Sequence, residues 1–241
     1  MTNIIKEKQN TENFLLIADT HDLLWRNKDF DFFIEKVGIP GASRQQYQHI
    51  LLLGDISTKD IKYIVEKFSD LAEQKEIYGI YGNHDARGIF NWFGIKDLHG
   101  EMETIGDWKV AGFEGAAKYK NRQFPSMSQE ESVKFARRFL LNGMKPDILI
   151  SHEKPKLFWL PPETEEMQQK EQAEHHKGLA GVGEILCGAG VQLNLHGHYH
   201  QNYHKTLLNG TEEFCIFPFG GMRIWKDGSF FVYDMEGKGI Q

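Results

Sequence analysis

Short, wholly apolar runs alternate with longer stretches of helical periodicity through the first third of this chain. Phe14 to Ala18, Ile50 to Leu53 and Ile77 to Tyr81 read as buried strands, with Phe30 to Val37 and Ile61 to Ala72 as helices between them. A β-α-β-α-β order predicts a parallel sheet covered by helices, because parallel strands need crossover connections. The pattern then changes: Glu101 to Thr104 and Trp108 to Phe113 flank Gly106-Asp107, which predicts a hairpin. Further on, the spacing predicts helices over Gln129 to Leu141 and Gly178 to Gly188, and strands over Asp147 to Ile150, Val191 to Leu195, Phe214 to Phe217 and Phe230 to Tyr233. Glu153 to Lys177 reads as a polar insertion in which Pro161-Pro162 precedes a Glu/Gln-rich stretch. There is no internal repeat, low-complexity tract or interdomain linker, so one domain over residues 1–241 with two sheets is the economical reading.

Composition narrows the class. With 241 residues, 40% hydrophobic and 26% charged, the chain has ordinary globular content, which excludes disordered, collagenous and coiled-coil readings. A net charge of −6 argues against a protein that lives on the nucleic-acid backbone, although local basic patches stay open. The charged start MTNIIKEKQNTEN lacks a signal-peptide apolar core, and no apolar run reaches membrane-spanning length, so a cytoplasmic protein without membrane contact is expected. Cys187 and Cys215 lie far apart with no metal or redox spacing, as structural thiols in a reducing compartment would.

The candidate chemistry lies in where the polar residues fall. Asp19-Thr20-His21, Gly54-Asp55 and Gly82-Asn83-His84-Asp85 follow the first three strands, Ser151-His152 follows the next, and Gly197-His198-Tyr199-His200 follows the strand after that. Each cluster lies just past the carboxyl end of a strand, the edge of an open α/β sheet where loops converge on a ligand. Two Asp carboxylates, one Asn amide and four imidazoles are available there as ligands, with one His-Asp pair left over. That set is enough for two metal ions if one carboxylate bridges. Oxygen and nitrogen donors without thiolate suit Mn, Fe or Zn better than Ca or Cu(I).

The ordered blocks DxH, GD, GNHD, a lone His and GHxH, running from Asp19 to His200, resemble the calcineurin-like metallophosphoesterase superfamily. The resemblance implies a four-layer α/β/β/α sandwich in which two mixed β-sheets face each other. Carried over by motif, it implies one ion on Asp19, His21, Asp55 and His200, and a second on Asp55, Asn83, His152 and His198, with Asp55 as the bridge. The ions implied are two divalent transition metals, Mn or Fe first, with Zn also compatible. His84 is implied as the group beside the leaving oxygen and Asp85 as the residue orienting it. The implied activity is phosphoric ester hydrolysis by a hydroxide shared between the ions, on a small-molecule or nucleotide phosphoester.

Alternatives stand beside this reading. Asp, Asn and Gly after strands are also ordinary turn chemistry, and Asp85 could be a helix N-cap. Some superfamily members are binding scaffolds, and the retromer subunit that became one lacks the His of its GNxD block, whereas this chain keeps His84. The metallo-β-lactamase block HxHxDH is absent. Protein Ser/Thr phosphatases resemble GDxVDRG followed by GNHE; here Gly54-Asp55 continues as Ile56-Ser57-Thr58-Lys59 and the fourth residue of the next block is Asp85, so neither departure favours a protein substrate. Only a short loop separates Phe113 from Gln129, which leaves the cleft open and favours a phosphodiester over a phosphomonoester. His175 and His176 could reach the cleft or be solvated, and Lys118, Lys120 and Arg122 could meet a substrate phosphate or water. Phe158, Trp159 and Leu160 could pin the insertion or stack on a base, and His49, His99 and His204 carry no implied role.

Overall fold

The alternation along one strand sets the layering of the molecule, a computed structural model that describes residues 11–36, 47–118, 125–156 and 177–241. In β1 (Thr11–Ile17) and the residue after it, Phe14, Leu16 and Ala18 enter a core shared with a second sheet, while Leu15 and Ile17 enter a core on the opposite face. A strand that buries both faces belongs between two layers. β2 (His49–Leu52) repeats the pattern, with Leu51 in the first core and Ile50 and Leu52 in the second.

The first sheet also contains β3 (Ile77–Gly79), β4 (Lys96–Asp97), β13 (Phe219–Trp225) and β14 (Phe230–Tyr233), in the order β14-β13-β1-β2-β3-β4. β1, β2, β3 and β4 run parallel, and β13 and β14 add an antiparallel edge. The second sheet is built from β5 (Met102–Ile105), β6 (Trp108–Phe113), β9 (Ile148–Ser151), β10 (Leu193–His196), β11 (Tyr203–Thr206) and β12 (Glu212–Cys215), in the order β11-β12-β10-β9-β6-β5. Both sheets are mixed. The hairpin around Gly106-Asp107 forms, with Ile105 opposite Trp108. A two-stranded ribbon, β7 (Ala116–Ala117) and β8 (Ser126–Met127), follows β6.

Helices α1 (Lys28–Lys36) and α2 (Thr58–Lys67) cover the first sheet with Phe30, Phe33, Ile61 and Ile64. Helices α5 (Gln129–Leu141) and α6 (Ala180–Ala189) cover the second with Ala136, Phe139, Val182, Ile185 and Leu186. The result is the expected four-layer sandwich. Helix α5 has the predicted bounds because Ser128 and Glu131 cap each other's backbone N–H groups at 3.1 and 2.8 Å. The stretch expected as one helix over 61–72 is two, α2 and α3 (Ser69–Glu73), which break at Phe68, a residue with ψ of 47° whose ring is fully buried.

Five strands escaped the periodicity, β4, β7, β8, β11 and β13, and a short helix, α4 (Ile89–Trp92), follows the GNHD block. The strand expected at Phe214 to Phe217 begins and ends two residues earlier, as Glu212–Cys215. The polar segment expected from Glu153 to Lys177 starts differently from the reading of it. Glu153, Lys154 and Pro155 are buried, and Pro155 pairs with Leu179 in a parallel bridge, so the chain is still part of the body there. Residues 157–176, including Phe158, Trp159, Leu160, His175 and His176, lie outside the described residues, as do Lys120 and Arg122.

Candidate metal centre

All five polar clusters arrive at one edge, where the carboxyl ends of β1, β2, β3, β9 and β10 meet between the two sheets. Backbone hydrogen bonds join the loops. Asp19 N–H donates to the carbonyl of Gly54 at 3.0 Å, His21 N–H to that of Asp55 at 3.4 Å, and Gly197 N–H to that of His152 at 3.2 Å. Among the described residues seven non-glycine positions have positive φ, and five of them are Asp19, His21, Asp55, His198 and His200. Each such residue costs about 1 kcal/mol or more, and the strain turns its side chain out of the strand direction toward the edge. Close approach is the other local requirement: a Cβ on Gly82 would lie 2.1 Å from Oδ1 of Asp55, and one on Gly197 would lie 2.5 Å from Oδ2 of Asp19.

Two clusters of donors result. Asp19, His21 and His200 offer atoms within 4.8 Å of one another, and so do Asp55, His152 and His198. Each cluster draws on both sheets. Asp55 stands between them: its Oδ2 is 3.4 Å from Nε2 of His152 and 3.9 Å from Nε2 of His21, while its Oδ1 accepts the backbone N–H of His84 at 2.7 Å. Asn83 Oδ1 is 3.1 Å from the same His152 nitrogen. In the first cluster, Nε2 of His21 and Nε2 of His200 are 3.3 Å apart, and His200 is 3.6 Å from Oδ1 of Asp19. Asp19 Oδ2 accepts the backbone N–H of His198 at 2.7 Å.

The donor chemistry fits two cations. Nδ1 of His152 lies 2.9 Å from the carbonyl of Leu53, so the proton of a neutral ring sits there and the lone pair on Nε2 faces two oxygens. That arrangement repels itself unless a positive charge lies among the three atoms. Burial alone would lower the His152 pKa, but Asp55 overrides it and pushes it up to about 10, so a proton takes that place when no metal does. Asp19 Oδ1 is buried with no hydrogen-bond partner among the described residues, and so is a second oxygen whose chemistry suits a cation. Burial also opposes ionisation of Asp55, yet His152 and His84 hold it well below the usual carboxylate range, and burial keeps His21 below the ordinary histidine value.

His84 is exposed at the rim, with its ring 5.5 Å from that of His21. Asp85 is buried, and its carboxylate accepts the backbone N–H groups of Gly82, Asp55 and Ile56 at 2.7, 2.8 and 2.9 Å. Burial, then the neighbouring charge of Asp55, pushes its pKa up to about 7 against those bonds. Sequence reasoning missed this stitching, because a carboxylate after Asn-His reads as a partner for the imidazole. It also missed Glu153 and the buried His196, whose Nε2 lies 3.2 Å from Glu213 and 3.0 Å from the hydroxyl of Tyr203. Period-2 placement of Asn194, His196 and Glu213 in buried strands was the available signal. Lys118 is exposed.

The family model of the calcineurin-like phosphoesterase matches residues 12–202. A protein of Haemophilus influenzae described as uncharacterized is 24% identical over 198 residues, which cover 68% of this chain and 77% of that one. Three solved structures share the fold. A dimetal phosphatase from Danio rerio is 12% identical, with 94% of this chain and 97% of that chain covered and a TM-score of 0.50. A phosphopantetheinyl hydrolase from Mycobacterium tuberculosis is 13% identical, with 86% and 90% covered and a TM-score of 0.51. A 5'-nucleotidase from Candida albicans is 13% identical, with 94% of this chain but 51% of that chain covered and a TM-score of 0.52.

Proposed function

The chain belongs to the calcineurin-like phosphoesterase family, and from that premise we propose that it hydrolyses phosphoric esters with two divalent metal ions and prefers phosphodiesters. The position of Asp55 carries the proposal. A carboxylate with one oxygen between two imidazoles of different clusters, and the other tied to a backbone N–H, is built to be shared. Asp19, His21, Asp55 and His200 would hold one ion, and Asp55, Asn83, His152 and His198 the other. Mn or Fe suits this oxygen and nitrogen set, with Zn also compatible. When bound, such a pair supplies Lewis-acid stabilisation of the phosphoryl oxygens and a water of lowered pKa.

The protein's own groups do the rest. His84, exposed beside His21, would face the departing ester oxygen and give it a proton. Asp85 holds the backbone of residues 82, 55 and 56 in one arrangement, so the His84 loop and the shared carboxylate keep a constant separation.

The diester preference rests on the short connection between Phe113 and Gln129, which among its described residues carries a two-stranded ribbon and no cap over the edge. An open edge admits a second ester arm, and a positioned acid matters most for a poor alkoxide leaving group. No helix among the described residues is long and apolar enough to cross a membrane. The inter-sheet core draws on residues from Phe14 to Ile240, which supports reading the chain as one domain.

The test is kcat/KM for matched aryl diester and monoester after chelation and reloading with Mn²⁺. The expected result is hydrolysis of both, with the diester faster. A monoester preference would overturn the diester assignment, and no turnover of either substrate by protein that holds two ions would overturn the hydrolase reading.

A further inference from the structure

Glu153 is a carboxylate in a place where a carboxylate should not persist. It is fully buried, and neither of its oxygens has a partner at good hydrogen-bond geometry among the described residues. A buried carboxylate left in that condition costs several kcal/mol. Nε2 of His198 lies 3.4 Å from its Oε2. The backbone of His198 is itself tied down, through its N–H on Asp19 and the neighbouring Gly197 N–H on the carbonyl of His152. Glu153 thus touches a residue of the second cluster, in a buried pair.

We propose that Glu153 is a positioning residue that accepts the Nε2 proton of His198 and so sets its tautomer, leaving Nδ1 as the lone pair offered to the ion. A neutral imidazole has one N–H and one lone pair, so capture of one nitrogen by a carboxylate decides the role of the other. A carboxylate behind a ligating histidine also raises its basicity and fixes the ring, an effect usually worth about 10–100-fold in metal affinity. Charge argues the same way. Two divalent ions bring four positive charges to a pocket whose Asp19 and Asp55 supply two negative ones, and Glu153 adds a third without occupying a coordination position. The inference rests on the two-ion reading of the site, and it singles out the ion held by His198.

The test uses the full chain as wild type, Glu153→Gln and Glu153→Ala, with Mn²⁺ as the probe. Titration calorimetry of the chelated proteins should give two binding events for the wild type. Glu153→Gln should weaken one of them by about 10–100-fold and leave the other unchanged, and Glu153→Ala should do at least as much. A long-range ¹H–¹⁵N spectrum of the metal-free wild type should place the proton of His198 on Nε2, a measurement that needs no variant to fold. Equal weakening of both events, or affinities within twofold of wild type, would overturn the proposal, as would a proton on Nδ1. A wild type that binds no metal would instead sink the two-ion reading of the site, so the two failures are distinct.

Discussion

Oδ2 of Asp85 accepts the backbone N–H of Asp55 at 2.8 Å, across 30 residues of chain. The same carboxylate takes the N–H groups of Ile56 and Gly82, so one side chain gathers the ends of β2 and β3 into a single turn beneath the shared ligand. Asp85→Ala leaves three buried donors without an acceptor. Each unsatisfied group costs about 1–3 kcal/mol, with incomplete additivity, so urea unfolding should show a loss of about 2–4 kcal/mol and less metal retained after dialysis. Asp85→Asn, which keeps one acceptor oxygen, should lose less. Stability of Asp85→Ala within about 0.5 kcal/mol of wild type would show that the stitching is dispensable.

Metal content separates the shared ligand from the others. Asp55→Ala should lose both ions together, whereas His21→Ala and Asn83→Ala should each lose one, because Asp55 Oδ2 faces both His21 and His152. Elemental analysis of protein purified without chelator decides it. One ion that survives Asp55→Ala would break the bridged arrangement.

His84 contacts the candidate ligand Asp55 through its backbone and presents its ring at the rim. His84→Asn should therefore keep its ions while kcat falls by about 10²–10⁴, the usual worth of a positioned acid. The fall should shrink on a substrate whose leaving group departs without a proton. Metal loss in this variant would make the ring a ligand.

The sheet strands that bury both faces were legible because a run as short as Phe14 to Ala18, apolar throughout and ended by Asp19, suits a doubly buried strand better than a helix. β13 was not legible, since its Gly220 and Gly221 read as a loop. They are there because a Cβ on Gly221 would lie 2.2 Å from the ring of Tyr233 on the neighbouring strand. β11, Tyr203–Thr206, is a partly exposed edge with polar side chains and carries no apolar signal. At the site, Asp19, Asp55 and His152 were visible by their place after strands. Glu153 was hidden for the opposite reason: a Glu that opens a polar stretch looks solvated, and only the bridge between Pro155 and Leu179 pulls it inside.

His99 gives a pH dependence away from the candidate ligands. Its Nδ1 accepts the backbone N–H of Glu114 at 3.1 Å, and its ring stacks on Phe135 with centroids 4.5 Å apart. Burial, then the charge of Arg87, lowers its pKa to about 4. An unfolded histidine titrates near 6.5, so between these values the unfolded chain binds more protons and stability rises with pH. The contribution is complete above about pH 6.5 and is lost as pH falls toward 4, amounting to about 3 kcal/mol. Urea unfolding in chelator at about pH 7.5 and pH 4.5 should show this loss in wild type and a smaller one in His99→Gln, which keeps an acceptor for Glu114. Equal losses in the two proteins would remove His99 as the source.

Each donor cluster takes members from both sheets: Asp19 and His21 follow β1 and His200 follows β10, while Asp55 follows β2 and His152 and His198 follow β9 and β10. The apolar seam between the sheets is thus closed at one end by facing carboxylates and imidazoles that a shared cation would draw together. An ion seated there would work as a fastener as well as a reagent. Stripping it should loosen the two halves of the sandwich against each other from that edge inward, with amide exchange rising first in the turns after β1, β2 and β10. A sequence that had abandoned hydrolysis would still have reason to keep these residues, as the clasp that holds its two sheets in register.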